Sequence, residues 1–335
     1  MKRTQKKLGM IKLCVTIGAC AMFSLAADAS AQSVEIALSI VGDAKNAPDP
    51  ATGFGNVDYE YAIGTYDITV DQYTAFLNAV AAKTDKYRLY SPKMEKAGNF
   101  KNPNTTDSDF HTNAGIKRSG DSGNYSYSVM GDSGSEPVTY VSWFDAVRFC
   151  NWLHNGQPKG LGEVAGSTET GAYTLQGDRR HQTATKNPGA KWWISSENEW
   201  YKAAYYDPQL NGGRGGYWRY TTKSNDAPGN EIGDKPNQAN YIVNARFSIN
   251  SAGSKASQLT KVGAFSKSAS PYGTFDQGGN VAQWIDSLIP QKPAGMRGGC
   301  YNGFADGLQS SSHAYPEPSE KSGYVGFRVA TLPQR

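Results

Sequence analysis

The sequence predicts an α+β fold with little regular secondary structure, in which long loops join a few short helices and strands. Three apolar stripes with helical spacing each follow a residue that can cap a helix. Short segments of alternating apolar and polar residues lie between the stripes, as in half-buried strands. Residues 91–135 are rich in Gly, Ser, Asn and Asp, and we predict a long loop there and another over 155–190.

The first helix is predicted from Thr69, with Gln72 three residues later as its partner in a capping box. It follows two predicted strands, within residues 34–46 and 58–69. We expect residues 32–56 to form an N-terminal strand and lead-in.

Two more helices and a final strand complete the prediction. Ser142 caps a helix whose buried stripe includes Cys150, and Ser196 with Glu199 forms a capping box for the third helix. The segment 324–330 is predicted to be one buried strand.

The N-terminus has the three parts of a secretory signal peptide. A basic segment precedes an apolar run over residues 13–26, and a small-x-small site at 29–31 ends before Gln32. The sequence therefore predicts a signal peptide over residues 1–31 and export, either to a periplasm or out of the cell. A lipoprotein signal ending at Cys20 is the alternative. No later apolar stretch approaches membrane length, so no membrane span is expected in the mature chain.

The net charge of the whole chain, +4, resides in the signal segment. Residues 1–31 carry five basic side chains against Asp28, which leaves the remainder of the chain close to neutral. Net charge therefore gives no support for a nucleic-acid partner, since nucleic-acid affinity depends on neutralising phosphates.

Five phrases stand in a characteristic order. They are "YDITVDQYTAFLNAV", "PVTYVSWFDAVRFCNWL", "WWISSENEWYKAAYY", "GGNVAQW" and "RGGCYNG" with "GYVGFRVA". Together they resemble the sulfatase-modifying-factor family, which includes the formylglycine-generating enzyme. The resemblance covers residues 57–331 and implies a variant of the C-type-lectin-like fold.

The resemblance does not decide the activity, because one fold supports several functions. Family members include a copper-dependent oxidase, iron-dependent sulfoxide synthases and binding proteins without known chemistry. The positions of the two copper cysteines fall here on Gly303 and Leu308, and residues 301–335 contain no cysteine. The four histidines are scattered along the chain. We therefore expect neither copper nor iron.

Cys150 and Cys300 are the two cysteines that follow the signal segment. In an oxidising compartment they form either a disulfide or two free thiols. Cys300, Tyr301 and His313 are the weak catalytic candidates, since His313 falls where the oxidase has an arginine at its substrate cleft.

Calcium is the metal that the sequence favours. The loop "FDQGGNVAQW" resembles the family's calcium loop, with the carboxylate and the amide exchanged. The oxygen ligands there would come from Asp276, Gly279, Val281 and Gln283. A second family site would use the Asn240 side chain and the Tyr241 carbonyl, with its acidic ligand replaced near Ser254.

The leading functional hypothesis is an exported, non-catalytic binding protein. Its contact surface would include residues 301–322 and the long loops, and its partner would be a small ligand, a glycan or a protein. The predicted ligand-binding residues are Trp218, Tyr301, His313 and Tyr315. The alternative is a metal-dependent oxidoreductase of the same fold, of the formylglycine-generating type or with another non-standard site.

Overall fold

A computed structural model describes residues 33–95, 113–180, 184–249, 257–289 and 292–333. The predicted signal peptide, the alternative at Cys20, and His111 and His181 lie outside the described residues. Within those residues, no helix has the length and apolar character needed to cross a membrane.

Short helices and strands alternate along the described chain. The helices are α1 (Val70–Val80), α2 (Trp143–His154), α3 (Glu197–Tyr205) and a single turn, α4 (Leu210–Gly213). The strands are β1 (Leu38–Val41), β2 (Tyr61–Gly64), β3 (Ile116–Ser119), β4 (Ser126–Val129), β5 (Trp192–Ile194), β6 (Tyr206–Asp207), β7 (Gly216–Tyr217), β8 (Ala282–Ile289), β9 (Lys292–Arg297), β10 (Val325–Phe327) and β11 (Val329–Thr331).

The three longer helices begin at the capping residues predicted from the sequence. The Thr69 hydroxyl accepts a hydrogen bond from the Gln72 amide (3.3 Å), and the Thr69 amide donates to the Gln72 side chain (2.9 Å). Ser142 and Ser196 make the same reciprocal bonds at α2 and α3. Each cap satisfies amides that have no partner within the helix.

Two larger sheets form the centre of the fold. One has the strand order β1-β2-β11-β5 and is antiparallel throughout. The other has the order β10-β8-β9, in which β10 runs parallel to β8. Two ribbons, β3-β4 and β6-β7, complete the described sheets.

The predicted loop over 91–135 is wrong in part, because it contains the hairpin β3-β4. Ile116 and Tyr127 turn into the core while their neighbours face solvent. The Asn78 side chain on α1 both donates to and accepts from the backbone of Tyr127 (2.8 and 2.9 Å). Two short alternating segments in a polar stretch give a weak sequence signal, and a side chain from a distant helix completes the pairing.

The predicted single strand over 324–330 is two strands in different sheets. Val325–Phe327 pairs with β8, whereas Val329–Thr331 lies between β2 and β5. The chain changes sheets at Arg328, which is fully buried.

Aromatic rings fill the space between α1, α2 and β10. Phe149 on α2 packs edge-on against Phe76 on α1 (5.3 Å between ring centroids) and against Phe327 on β10 (5.5 Å). All three rings are almost fully buried. Large apolar side chains of this kind contribute most of the burial energy of a domain core.

The guanidinium of Arg328 joins both large sheets. It donates to the side chains of Asp67 (3.1 Å) and Gln283 (2.7 Å) and to the carbonyls of Gly64 (2.9 Å) and Phe275 (2.8 Å). A buried charge is tolerated only when it is paired and hydrogen-bonded. Arg328 is therefore a structural residue of the fold.

We predict that Arg328→Met lowers the free energy of unfolding by about 3–5 kcal/mol, because it leaves the Asp67 carboxylate buried without its partner. Urea unfolding of the mature chain measures the change. Arg214→Met, at an exposed arginine, is the control and should stay within about 0.5 kcal/mol of the unsubstituted protein. An unchanged midpoint for Arg328→Met would contradict the structural role.

Stability should also depend on pH. Burial raises the pKa of Glu163 and of Glu136 to about 7, above their ordinary value of 4.5. Between those two pH values the folded chain holds protons that the unfolded chain has released, so stability falls as the pH rises from about 4.5 to 7. We expect a melting temperature a few degrees higher at pH 5.5 than at pH 8, and a smaller difference in Glu163→Gln. A rise in stability across this window, with no change in Glu163→Gln, would refute the prediction.

Candidate functional site

A cleft of about 540 Å³ opens between three loops and the N-terminal turn of α2. The loops are residues 87–92, 179–180 and 317–321. The last of these belongs to the segment 301–322, which the sequence predicts as a contact surface. The cleft is therefore the described cavity that best matches the predicted binding surface.

Buried carboxylates hold the first loop through its backbone. Glu163 accepts hydrogen bonds from the amides of Lys86 and Tyr87, the latter at 3.0 Å. Asp85, whose side chain is 5% exposed, accepts from the amide of Leu89 at 2.6 Å. Because these bonds engage main-chain atoms of the loop, they do not depend on the side chains of Tyr87 and Arg88, which face the cleft.

Lys321 ties the C-terminal loop to the two neighbouring walls. Its Nζ lies 2.6 Å from the Asp145 carboxylate and donates to the backbone carbonyl of Arg88 (2.5 Å). The same carboxylate caps α2 by accepting from the Ser142 amide (2.8 Å). The negative charge of Asp145 is thus compensated inside the protein.

The remaining wall is anchored by a buried ion pair. Arg148 on α2 binds both carboxylate oxygens of Glu169 (2.6 and 2.9 Å) and donates to the backbone carbonyl of Asp178 (3.0 Å). Arg179 and Arg180 follow directly and line the cleft, with Arg180 exposed.

The electrostatic balance of the cleft is positive. The charged residues that line it are Arg88, Arg179, Arg180, Lys321, Asp145 and Glu317. Lys321 and Asp145 compensate each other, and the ion pairs found among the described residues include none of the three arginines. The guanidinium groups of Arg88, Arg179 and Arg180 and the carboxylate of Glu317 can therefore contact a ligand.

A second space of about 400 Å³ adjoins the cleft and shares Tyr90 with it. Arg118 lies there with its guanidinium 4.7 Å from the ring centre of Tyr90 and 4.6 Å from that of Tyr125. Glu95 and Asp121 also line this space. The two spaces together form a groove. Three arginines line its first part and Arg118 lines the second.

Cys150 and Cys300 are free thiols in the structure. Of the two alternatives, a disulfide or two free thiols, the structure therefore contains the second. Cys150 is buried on α2. Cys300 donates to the Asn302 side chain (3.1 Å), and burial raises its pKa to about 11. At neutral pH Cys300 is therefore protonated, whereas metal binding and nucleophilic attack require the thiolate.

Two of the predicted ligand-binding residues lie apart from the cleft. Tyr301 is 5% exposed, and its ring packs near Phe247 (6.4 Å). Trp218 is half-buried, and its indole nitrogen donates to the Asp207 carboxylate (3.0 Å). Neither residue lines the cleft.

The structure brings the other two, His313 and Tyr315, together. Their rings lie 5.2 Å apart, and exposed His313 also approaches Phe54 (6.4 Å). The Tyr315 hydroxyl donates to Glu197 (3.3 Å), which forms a fully buried ion pair with Arg297 (2.6 Å). This aromatic patch rests on that ion pair and is separate from the residues that line the cleft.

In the loop predicted to bind calcium, both side-chain ligands already accept hydrogen bonds within the protein. The predicted ligands of this loop are Asp276, Gly279, Val281 and Gln283. The Gln283 side-chain oxygen accepts from Trp200 (2.6 Å) and from the guanidinium of Arg328 (2.7 Å), so both its lone pairs are used. The Asp276 carboxylate accepts from the amide of Gly263 (2.6 Å). A guanidinium therefore already provides the positive charge beside Gln283.

The second predicted calcium site fits better. The Asn240 side-chain oxygen is buried without a hydrogen-bond partner, whereas its amide group donates to Gln258 (2.9 Å) and Asn280 (3.0 Å). The Thr260 hydroxyl oxygen is also buried without a partner. Hard oxygen atoms of this kind suit Ca²⁺. The position near Ser254 lies outside the described residues, within which no group of three or more His, Cys, Asp or Glu side chains is arranged to hold a metal.

Sequence reasoning missed the arginines of the cleft. Arg179 and Arg180 are adjacent in a predicted loop, and such a pair is a visible signal of local positive charge. Arg88 and Lys321 carry no such signal, because only the fold brings residues so far apart in the chain to one cleft.

The fold is of the class predicted, a C-type-lectin-like domain of the sulfatase-modifying-factor type. The chain belongs to the sulfatase-modifying factor enzyme 1-like domain family, whose model matches residues 40–332. No curated protein sequence matches the chain.

Three solved structures are similar to this one. CarF is 21% identical, with a TM-score of 0.48, over 90% of this chain and 99% of that chain. Variable protein 1 of Treponema denticola is 18% identical, with a TM-score of 0.48, over 91% and 98%. PvdO from Pseudomonas aeruginosa is 15% identical, with a TM-score of 0.43, over 89% and 92%.

We predict two free, slowly reacting thiols in the chain from residue 32 onward. At pH 8, a pKa of about 11 leaves on the order of 0.1% of Cys300 as thiolate, so alkylation should be at least about 100-fold slower than for an exposed cysteine. A colorimetric thiol count in guanidinium chloride without reductant should give two thiols per chain. A count near zero would show that the two cysteines form a disulfide after all.

Proposed function

We propose that this protein is an exported, non-catalytic binding protein whose ligand occupies the cleft lined by residues 87–92, 179–180 and 317–321. The observation that carries the proposal is the way this cleft is built. Its walls are loops whose backbones are fixed by buried carboxylates and by a buried ion pair. A preformed concave site on a rigid scaffold is the usual setting for ligand recognition.

The chemistry near Cys300 supports binding over oxidation. By the family resemblance, Gly303 and Leu308 occupy the positions at which the oxidase has its two copper-binding cysteines. Cu(I) favours paired thiolates, and the single thiol there, Cys300, is held protonated by burial. The alternative is a metal-dependent oxidoreductase with a non-standard site, built around His313 and Tyr301 or around another metal site of the chain.

Export is part of the proposal and rests on the predicted signal peptide over residues 1–31. The Val34 backbone both donates to and accepts from the side chain of Gln157 (2.6 and 2.8 Å). The first residues of the predicted mature chain would thus be part of the folded domain.

Calcium has a structural role in this proposal. It would be bound by the Asn240 side chain and the Tyr241 carbonyl, since the buried Asn240 oxygen has no other partner. The carbonyl of Tyr241 accepts one bond from Asn230 (3.1 Å) and has a second lone pair for a cation.

Metal analysis by plasma mass spectrometry tests the oxidoreductase alternative. Mature protein, exported during expression, is dialysed against trace Ca²⁺, Cu⁺ and Fe²⁺. We expect neither copper nor iron at stoichiometric levels, and the same metal content in Cys300→Ser. Near-stoichiometric copper or iron that is lost in Cys300→Ser would overturn the binding-protein proposal in favour of the oxidoreductase.

The same samples test the calcium site. We expect near-stoichiometric calcium that is lost in Asn240→Leu and kept in Asp276→Asn, the matched change in the other loop. Loss of calcium in Asp276→Asn alone would show instead that the ion binds in the loop over 276–283.

A further inference from the structure

We infer that the ligand of the cleft is an acidic saccharide, a sugar chain that carries sulfate or carboxylate groups. This inference rests on the proposed function, in which the cleft is the ligand site, and it adds the chemical class of the ligand.

The cleft carries positive charge on two of its walls. Arg88 approaches the cleft from one wall, and Arg179 with Arg180 from another, while the carboxylate of Asp145 is compensated by Lys321 at 2.6 Å. Guanidinium groups bind the planar oxygen pairs of carboxylate and sulfate through two parallel hydrogen bonds. The groups available in the cleft therefore match anionic substituents on a ligand.

Phe144 and Tyr90, two of the aromatic residues that line the cleft, offer little apolar surface. Phe144 is 1% exposed and Tyr90 is 4% exposed. Arg118 stands 4.7 Å from the ring centre of Tyr90, and Arg148 stands 4.3 Å from that of Tyr87. Of the apolar residues that line the cleft, Tyr87 and Pro92 keep exposed surface, both on one wall. An apolar side chain of a peptide would contact little more than these two, whereas the hydroxyls of a sugar need no apolar partner.

The walls of the cleft are formed by loops and by the N-terminal turn of α2. None of the residues that line the cleft belongs to a β-strand. A peptide therefore has no strand edge in the cleft to which it could add by main-chain hydrogen bonding, the mode that extended peptides commonly use. Exposed Ser319 and the guanidinium groups instead offer side-chain hydrogen bonds of the kind that sugar hydroxyls and acidic groups accept.

The extent of the groove suits a chain of sugars. The cleft continues into the adjoining space of about 400 Å³, which is lined by Glu95, Asp121 and Arg118. The Arg118 guanidinium lies 3.7 Å from the Asp85 carboxylate and is compensated by it, so this space suits uncharged sugar units whose hydroxyls donate to carboxylates. The acidic groups of the ligand are expected beside Arg88, Arg179 and Arg180.

The near-neutral net charge of the mature chain helps to distinguish binding in the cleft from unspecific attraction of a polyanion. Because the chain after residue 31 is close to neutral, long-range attraction gives little background binding to a polyanion. Binding of a sulfated polysaccharide at physiological salt should therefore depend on the arginines of the cleft.

The experiment is titration calorimetry of the mature protein with dextran sulfate, unmodified dextran and polyglutamate at 0.15 M salt. We expect saturable binding of dextran sulfate, weaker binding of polyglutamate and none of unmodified dextran. The double variant Arg179→Ala/Arg180→Ala should bind dextran sulfate at least about 10-fold more weakly. Arg214→Ala/Lys223→Ala removes the same charge from exposed residues that do not line the cleft and should leave the affinity unchanged.

Each contrary outcome overturns a different statement. Equal binding by the two double variants, with matching melting temperatures, would place the polyanion outside the cleft and overturn the inference. Tighter binding of polyglutamate, lost in Arg179→Ala/Arg180→Ala, would keep the cleft as the ligand site and show that its ligand is an acidic peptide. The copper and iron content of the same preparation reports on the proposed function independently, so failure of the inference and failure of the function can be told apart.

Discussion

The guanidinium of Arg328 holds the two large sheets together at the point where the chain passes from one to the other. It contacts β8 through Gln283, and it contacts the segment that follows β2 through Asp67. Burying a charge costs several kcal/mol unless its hydrogen bonds are made, so these segments must meet with correct geometry. The Gln283 side-chain oxygen accepts hydrogen bonds from both Arg328 and Trp200, so the same contact also engages the oxygen that was predicted to bind calcium in the neighbouring glycine-rich loop.

The loops of the cleft are likewise held by buried charged groups whose hydrogen bonds are satisfied. Glu163, Asp85 and Glu169 are acidic groups shielded from water, and each is satisfied by loop amides or by an arginine. Long loops have few apolar contacts of their own, so buried polar anchors provide the order that a core provides elsewhere. The result is a set of irregular segments that present a defined surface, as a binding protein requires.

The sequence predicted the parts of this fold that depend on local chemistry. The caps at Thr69, Ser142 and Ser196 depend on residues three positions apart, so they could be found without the fold. The hairpin β3-β4 could not, because its edge is completed by Asn78 from α1. The change from one sheet to the other at Arg328 could not be predicted either, because it depends on tertiary contacts and the apolar pattern over 324–330 continues through it. For the site, the predicted segment 301–322 contributes one wall, but the grouping of Arg88 with Arg179 depends on tertiary contacts alone.

The way in which the loop that carries Arg88 is held affects how its sequence can evolve. Its backbone is held by carboxylates from Asp85 and Glu163, and Arg88 itself contributes its main-chain amide, to the Asp85 carbonyl (3.2 Å), and its main-chain carbonyl, to Lys321. Substitution of the exposed side chain therefore alters the charge of the cleft and leaves these anchoring bonds in place. Because Arg88 has a φ of 57°, in the left-handed region, Gly, Asn and unbranched side chains can replace it with little loss of stability, whereas β-branched ones would strain the loop. Diversification at this position, in nature or in a designed library, is therefore restricted to those residue types.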